Sequence, residues 1–202
     1  MREAQAVEIA VAIEILTVFP IREANLTALH LKDNIVKTGA HKDAEVLIVI
    51  PGEGVKNGED LEVKLPRESA ELLDLYLKRC LPVLAPKGTD WLFPGRKGGH
   101  KHARAFGAQI KRVIFRKTAL PIHVHFFRHL SAKFWLDRHP GQFEVIQRAL
   151  GHRSLKTTMT FYAEFKAVQA LAIFDEHILK LRQELAHLAG TRGSCRRTKG
   201  RR

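Results

Sequence analysis

The spacing of apolar residues predicts helices in the first part of the chain. Ala6–Val18 is apolar nearly all round, which is typical of a helix buried inside a domain. Pro20 ends this helix because proline cannot continue it. Arg22–Leu31 predicts a short second helix. In Arg67–Arg79 leucines recur at helical spacing among charged residues, which predicts an amphipathic third helix.

Two strand-like runs between the second and third of these helices predict a β-hairpin. Glu45–Ile50 (EVLIVI) is β-branched and apolar, and residues 61–66 (LEVKLP) follow after a polar, glycine-rich stretch. Asn57 and Gly58 lie between the two runs, and both residue types tolerate the positive φ of a tight hairpin turn. We therefore expect two antiparallel strands here.

Helical patterning dominates the second half of the chain, after a loop rich in proline and glycine between residues 82 and 99. Ser154 predicts the N-cap of a short helix that leads to Tyr162. The sequence therefore predicts an α+β fold that is mainly helical and has a small antiparallel sheet. The other predicted helices are His100–Lys117, Val124–Arg138, Gln142–Leu150 and Ala167–Leu188.

The composition is typical of a globular protein from a reducing compartment. The 202 residues fit one mid-sized domain, and 45% hydrophobic with 27% charged residues exclude wholesale disorder. Two cysteines, Cys80 and Cys195, cannot build a disulfide framework. Glu3, Glu8 and Glu14 interrupt the apolar N-terminus, which excludes a signal peptide and a membrane span there. We expect a cytoplasmic protein without a membrane-spanning segment.

Positive charge is concentrated in one part of the chain. Thirty-four Lys and Arg against 21 Asp and Glu give a net charge of +13, which attracts polyanions such as nucleic acid. Residues 91–136 contain no Asp or Glu, whereas a typical solvated helix mixes both signs. A surface without carboxylates does not repel phosphates, so we expect this stretch to contact nucleic acid. Its ten basic residues are Arg96, Lys97, Lys101, Arg104, Lys111, Arg112, Arg116, Lys117, Arg128 and Lys133.

One predicted helix carries two histidines and an arginine on the same side. His125, Arg128 and His129 are three and four residues apart, so their side chains share one face. A zinc-protease motif needs glutamate directly after the first histidine, but Phe126 stands there and no third ligand lies nearby. We therefore expect no metal. The structural alternative is that one histidine packs in the core and Arg128 is a surface cation.

A histidine and a tyrosine follow further along the chain. His152 comes directly after a glycine, and Tyr162 lies ten residues later. A phenol can attack a phosphodiester when cations neutralise the charge on the non-bridging oxygens. Arginine suits this role because its planar fork reaches two oxygens at once. Tyr162 could equally be a core aromatic like Phe161, and Tyr76 falls in a leucine-rich amphipathic helix where packing is expected.

Together these residues resemble the catalytic half of the tyrosine recombinases, the phage integrase family. The resemblance covers roughly residues 5–180, and it implies the catalytic-domain fold of that family. Four motifs occur in the family's order: the first-arginine box around Arg22 (PIREANLTALHL), the β-hairpin with Lys56 (IPGEGVKNGEDLEVKLP), the His125–His129 segment, and Leu150-Gly151-His152 followed by Tyr162.

The resemblance implies strand exchange in DNA by transesterification, without metal or another cofactor. Tyr162 would attack the scissile phosphate and give a 3′-phosphotyrosyl intermediate with a free 5′-hydroxyl. His125 would take the tyrosine proton, and Lys56 would protonate the departing 5′-oxygen.

The remaining motif residues would bind the phosphate. Arg22 and Arg128 would hold its non-bridging oxygens, His152 would hydrogen-bond to it, and His129 would lie behind this set. The implied partner is double-stranded DNA, bound by a homotetramer, with the free chain monomeric. Six basic residues of the carboxylate-free stretch are expected to contact DNA: Arg96, Lys97, Lys101, Arg104, Lys111 and Arg112.

Three departures from the family pattern bear on these expectations. The family more often places its tyrosine at the position of Phe161, and Asn25 stands where many members have an acidic residue. Integrases of this type normally also have an N-terminal helical domain that clamps DNA. We therefore predict a catalytic domain at residues 1–189 without the clamp domain, and a basic disordered tail at 190–202.

Three alternatives are left open by the sequence. A type IB topoisomerase uses a similar residue set but relaxes supercoils without exchanging partners, so plasmid relaxation would favour it. A truncated, non-catalytic integrase remnant would bind DNA without cutting it. A basic RNA-binding protein would explain the charge, but not the ordered arginine, lysine, histidine and tyrosine motifs.

Overall fold

The computed structural model describes residues 1–39, 45–54, 58, 60–151, 156, 159–160 and 162–163. The chain divides into two compact units, Met1–Met159 and Thr160–Arg202. The first unit carries the helices and strands that follow. In the second unit, the described residues Thr160, Tyr162 and Ala163 are helical.

Seven α-helices and three strands form the described part of the first unit, which is the mainly helical α+β architecture that the sequence predicts. The helices are α1 (Arg2–Val18), α2 (Glu23–Thr27), α3 (Arg67–Leu75), α4 (Leu81–Leu84), α5 (Ala103–Thr118), α6 (Val124–Arg138) and α7 (Phe143–Leu150). The strands are β1 (Ile35–Thr38), β2 (Glu45–Ile50) and β3 (Leu61–Lys64).

Helix α1 forms the centre of the core. It packs against α3, α4, α5 and α6, and its residues Ala12 and Leu16 are fully buried. Helix α1 begins at Arg2, earlier than predicted, because the residues before Ala6 also favour a helix. Contact with four helices explains why its sequence is apolar nearly all round.

The three strands form one antiparallel sheet in the order β1-β2-β3. Ile48 in the central strand lies opposite Ile35 of β1 and Val63 of β3. Alternate residues of β2 are buried, as expected for a strand with one face on the core. The predicted pairing of the two strand-like runs is confirmed. Strand β1 was not predicted, because its four residues (IVKT) carry too short a pattern.

The predicted helix Arg67–Arg79 is divided in the structure. Helix α3 ends at Leu75, a π-helical turn spans Tyr76–Cys80, and α4 follows directly. Pro82 lacks the N–H that a regular α-helix needs at this place, and the widened turn lies just before it. The π-helical turn before Pro82 therefore divides the predicted helix, which its leucine spacing does not reveal.

Helix α5 begins three residues later than the predicted His100. His100 pairs with Pro94 in an isolated antiparallel bridge, and the Lys101 N–H donates to the Phe93 carbonyl at 2.8 Å. These contacts keep the chain extended up to His102, whose φ and ψ are also extended.

Helix α6 has the predicted bounds, and α7 begins at Phe143, one residue after the predicted start. The short helix predicted from Ser154 lies mostly outside the described residues, and the helix predicted at Ala167–Leu188 lies entirely outside them. None of the described helices is both long and apolar enough to cross a membrane.

Candidate active site

Arg22 is positioned by the tight connection between α1 and α2. It directly precedes α2 and has an extended backbone, with φ −70° and ψ 150°. Its side chain is half-buried and does not cap the helix. Instead, Arg22 Nη2 donates a hydrogen bond to the Gly151 carbonyl at 2.9 Å. The arginine of the first motif is therefore held against the end of α7, 129 residues further along the chain.

Arg128 is buried by the packing of α6. Val124, Arg128, Ala132 and Leu136 recur every four residues and form the buried stripe of this helix. The arginine is 3% exposed. Its Nη1 donates to the Pro20 carbonyl at 2.6 Å, and its Nη2 donates to the Leu150 carbonyl at 2.5 Å. The structural alternative of a surface cation is therefore wrong for Arg128.

The C-terminus of α7 brings the two arginines together. Gly151 ends this helix in the left-handed conformation, with φ 58° and ψ 46°. The last carbonyls of a helix lack partners within the helix and carry the negative end of its dipole. Leu150 and Gly151 offer two such carbonyls in succession, and each accepts from one arginine. Glycine is favoured at this position because φ 58° strains any residue with a side chain.

Within the described residues, neither arginine has a carboxylate partner, and Arg128 Nε is buried without a hydrogen-bond acceptor. Burial lowers the pKa of Arg22. Burial, together with the charge of Arg22, lowers the pKa of Arg128 to about 10. Both groups are still cationic at neutral pH. A buried cation beside a half-buried one, with no counter-ion among the described residues, is costly, and an anion bound here would stabilise both.

Three histidines lie beside this arginine pair at the start of α6. The ring centroids of His125 and His129 are 4.7 Å apart, and those of His123 and His125 are 6.5 Å apart. Although His125 is exposed, its pKa is lowered to about 4 by partial burial and by electrostatic interaction with His129, Arg128, His123 and Arg22. Burial and nearby positive charge also lower the pKa of His129. His125 is therefore neutral at pH 7 and can accept a proton.

The other predicted catalytic residues are only partly covered by the structure. Lys56 and His152 lie outside the described residues, as does Phe161, so their roles stay predictions. Tyr162 is helical and half-buried in the second unit. Tyr76 is fully buried, and its hydroxyl donates to the Leu92 carbonyl at 2.7 Å, which supports the packing role expected for it.

Asn25 lies in α2, three residues after Arg22. Its Nδ2 is buried and has no hydrogen-bond partner among the described residues. The acidic side chain common in the family at this position is therefore replaced by an unsatisfied amide. Arg22 is held by a main-chain carbonyl instead.

The six residues predicted to contact DNA fall into two groups. Five are exposed: two on the turn before α5, and three on one side of α5, which are Arg96, Lys97, Arg104, Lys111 and Arg112. Lys101 differs, because its Nζ lies 2.5 Å from the buried carboxylate of Glu8 and 4.7 Å from the ring centroid of Phe106. Its ammonium already has an internal partner, so contact between Lys101 and DNA is only a prediction.

Sequence reasoning missed three parts of the site. The carbonyls of Pro20 and Leu150 carry no side-chain signal, so no motif reveals them as acceptors. The contact of Glu23 with Gly107 on α5 was also missed. The available signal was a glycine in the middle of a helix, which usually has a packing reason. Within the described residues, no group of three or more His, Cys, Asp or Glu side chains could hold a metal ion.

Two arginines, an uncharged histidine and an exposed basic helix form a site that suits a phosphodiester of nucleic acid. Comparison with known proteins agrees with this class of site, since the profile of the Phage integrase family matches residues 1–167. The chain belongs to the phage integrase family.

Curated relatives include known and putative recombinases. The tyrosine recombinase XerD of Proteus mirabilis is 31% identical over 152 residues, which are 74% of this chain and 45% of that protein. A putative integrase/recombinase of Sinorhizobium fredii is 33% identical over 118 residues, which are 57% of this chain and 36% of that protein. The chain thus spans less than half the length of these relatives.

Solved structures of the XerH site-specific recombinase share the fold. The pre-cleavage complex of XerH with its difH substrate matches with a TM-score of 0.61 and 25% identity, over 80% of this chain and 44% of that chain. The post-cleavage complex with a palindromic difH substrate matches with a TM-score of 0.62 and 25% identity, over 87% of this chain and 48% of that chain. The predicted tyrosine recombinase catalytic fold is confirmed.

Proposed function

We propose that this chain is the catalytic part of a site-specific recombinase that cuts and rejoins double-stranded DNA. The observation that carries the proposal is the arginine pair, in which Arg22 and Arg128 are held by consecutive carbonyls and lack a carboxylate partner among the described residues. Structural ion pairs neutralise buried arginines with carboxylates, whereas this pair is left with an uncompensated positive charge. A phosphodiester supplies the missing negative charge.

Spare donors on the arginines support binding of the non-bridging oxygens. Arg128 uses one N–H on each Nη for the carbonyls of Pro20 and Leu150, so that the second hydrogen of each Nη remains. Arg22 uses one N–H for Gly151. Donors fixed in advance around a phosphate stabilise the charge that develops in the transition state, and each commonly contributes about a hundredfold in rate.

The proposed first step exchanges one phosphoester bond for another. The phenol oxygen of Tyr162 bonds to phosphorus while the bond from phosphorus to the 5′-oxygen breaks. The phenol proton passes to neutral His125, and the 5′-oxygen takes a proton from Lys56. The 3′-phosphotyrosyl bond keeps the energy of the broken bond, so attack by the 5′-hydroxyl of another strand reseals the DNA without a cofactor.

The remaining assignments follow from the family motifs. His152 hydrogen-bonds the phosphate, and the exposed cations of the turn before α5 and of α5 itself bind the DNA backbone. Residues 1–189 form the catalytic domain, and residues 190–202 form a basic tail. The chain is cytoplasmic, monomeric when free and tetrameric on DNA. DNA is also the ligand of the XerH structures that share its fold.

Covalent capture of DNA tests this function without knowledge of the target site. The chain is incubated with a pool of nicked duplexes of random sequence, and adducts that survive denaturing gels are recovered and sequenced. Wild type is expected to form adducts on a related set of sequences, and Tyr162→Phe is expected to form none while still shifting DNA in native gels.

Two outcomes contradict the proposal or redirect it. Adducts that persist in Tyr162→Phe would overturn the assignment of the nucleophile. Relaxation of a supercoiled plasmid without any recombined product would instead favour a topoisomerase.

A further inference from the structure

A glycine in the turn before α5 (residues 94–100) lies against main-chain atoms on the opposite side of that turn. The Gly95 N–H donates to the Gly99 carbonyl at 2.9 Å. A Cβ added to Gly95 would lie 2.8 Å from the His100 carbonyl oxygen and 3.2 Å from that of Gly98. Main-chain oxygens cannot rotate away as the end of a side chain can. Gly95 does not have a positive φ, so the close approach alone favours glycine here.

Both ends of this turn are fixed to the core. Phe93, which precedes it, is fully buried, and its carbonyl accepts from the Lys101 N–H at 2.8 Å. The ring of His100 packs against that of Trp91, with 4.9 Å between the centroids and 67° between the planes. Because neither end can shift freely, a methyl group added to the glycine would have to be accommodated by movement of residues 96–99.

Two neighbouring cations lie between these ends. Arg96 and Lys97 are exposed, and within the described part of the chain neither side chain has an ion pair or a hydrogen bond. Elsewhere on the surface exposed lysines are paired, such as Lys32 with Asp90 at 2.9 Å. Two adjacent charges without partners repel each other, whereas the phosphates of a nucleic acid would neutralise both.

We propose that the close contact at Gly95 holds Arg96 and Lys97 in place for the DNA backbone, so that Gly95 is a positioning residue for DNA binding. The inference rests on the proposed function for the identity of the ligand. A turn that is ordered in the free chain loses little conformational freedom when its cations bind phosphates. A loose turn has to be ordered on binding, which for two side chains weakens affinity about fivefold or more.

Binding of fluorescent duplex DNA of random sequence to the full chain tests this role, with anisotropy as the readout. Gly95→Ala is expected to raise the dissociation constant about fivefold or more. In an Arg96→Ala/Lys97→Ala background the same substitution is expected to change it less than about twofold, because the groups that it displaces are gone. Gly88→Ala is the control, since Gly88 lies beside the exposed Lys87 at φ 84° with open space around its Cβ. Its affinity for DNA is expected to match that of wild type.

A second readout does not involve DNA. In Gly95→Ala, hydrogen exchange of the N–H at position 95 is expected to speed up about tenfold or more, while the Lys101 N–H stays protected, because only the tip of the turn opens. Relaxation of ¹⁵N is expected to show greater mobility at Arg96 and Lys97. Gly98→Ala strains the same turn at φ 88° without a close contact, so this milder variant gives the same test if Gly95→Ala does not fold.

Three results would overturn the inference: an unchanged affinity in Gly95→Ala, an equal loss of affinity in the background that lacks both cations, or unchanged exchange and mobility in the turn. The expected loss of binding in a chain that forms no covalent adduct would uphold the inference and contradict the proposed function. A wild-type chain that binds no duplex DNA would overturn both.

Discussion

Arg22 and Arg128 donate to consecutive main-chain carbonyls, those of Gly151 and Leu150, although the two arginines lie 106 residues apart in sequence. The end of one short helix, α7, therefore fixes the separation of the two guanidinium groups. Main-chain acceptors hold the cations without neutralising them, which a carboxylate would do. In the proposed function, a phosphate neutralises the charge of this pair.

Arg128→Lys tests whether phosphate binding needs the planar guanidinium group of this residue. A lysine ammonium cannot reach the carbonyls of Pro20 and Leu150 and a phosphate in the geometry that guanidinium allows. We expect the rate of adduct formation to fall about a hundredfold or more, as for loss of one preorganised donor. Arg148→Ala, an exposed arginine on α7, is the control and should be unaffected. Equal rates for Arg128→Lys and wild type would contradict the phosphate-binding role.

The pH dependence of stability reports the state of His125. Its pKa in the folded chain is about 4, below the ordinary value of 6.5, so the folded state binds its proton less readily than the unfolded state. The stability associated with this group is fully present above about pH 6.5 and is lost as the pH falls towards 4. We expect the melting temperature of wild type to fall over this range and that of His125→Gln to fall less. Parallel curves for both proteins would disprove the lowered pKa.

Lys101 is expected to affect stability more than DNA binding. Lys101→Ala would leave the carboxylate of Glu8, which is 1% exposed, without its cation, at a cost of about 3 kcal/mol of unfolding free energy. Arg104→Ala, at an exposed position, should change stability by less than about 0.5 kcal/mol and weaken DNA binding. Urea unfolding and fluorescence anisotropy with duplex DNA measure the two effects. A Lys101→Ala variant with normal stability and weakened DNA binding would refute this assignment.

The left-handed ends of α7 and α5 provide a matched pair of substitutions. Gly151→Ala places a side chain at φ 58°, which is expected to cost about 1–2 kcal/mol and to displace the carbonyls that hold both arginines. Ala119 already occupies φ 59° at the end of α5, so Ala119→Gly should stabilise the chain by about 1 kcal/mol. Adduct formation should fall in Gly151→Ala and be unchanged in Ala119→Gly. Unaltered cleavage in Gly151→Ala would contradict the role of α7.

Sequence patterns predict several helices and strands well where side chains carry the signal. The predicted bounds of α6 match the structure, and the Asn57-Gly58 dipeptide between the two strand-like runs predicts the pairing of Glu45–Ile50 with the next strand. The resemblance of the His125–His129 segment to the family motif implies a phosphate-binding role for Arg128, which stays a prediction. Its deep burial was not predicted, because burial depends on which elements pack over α6.

Contacts between distant segments could not be predicted from the pattern. Lys101 belongs by sequence to the carboxylate-free basic stretch, yet its partner Glu8 lies 93 residues earlier on α1. The acceptors for the arginines are main-chain carbonyls, which every residue possesses. Among the residues in these contacts, only Gly107 and Gly151 are of a type that indicates a structural requirement in the sequence.

The inward pairing of Lys101 sets a limit on how steeply DNA binding can depend on salt. Of the ten cations in residues 91–136, Lys101 pairs with Glu8, Lys133 pairs with Asp137, and Arg128 is buried. Seven exposed cations are left in this stretch. Each phosphate that a cation neutralises adds about 0.9 to the slope of log K against log salt, so these seven cations supply a slope of at most about six, and Arg128 adds about one more when it binds the proposed phosphate. A steeper dependence in the whole protein would have to come from cations elsewhere in the chain.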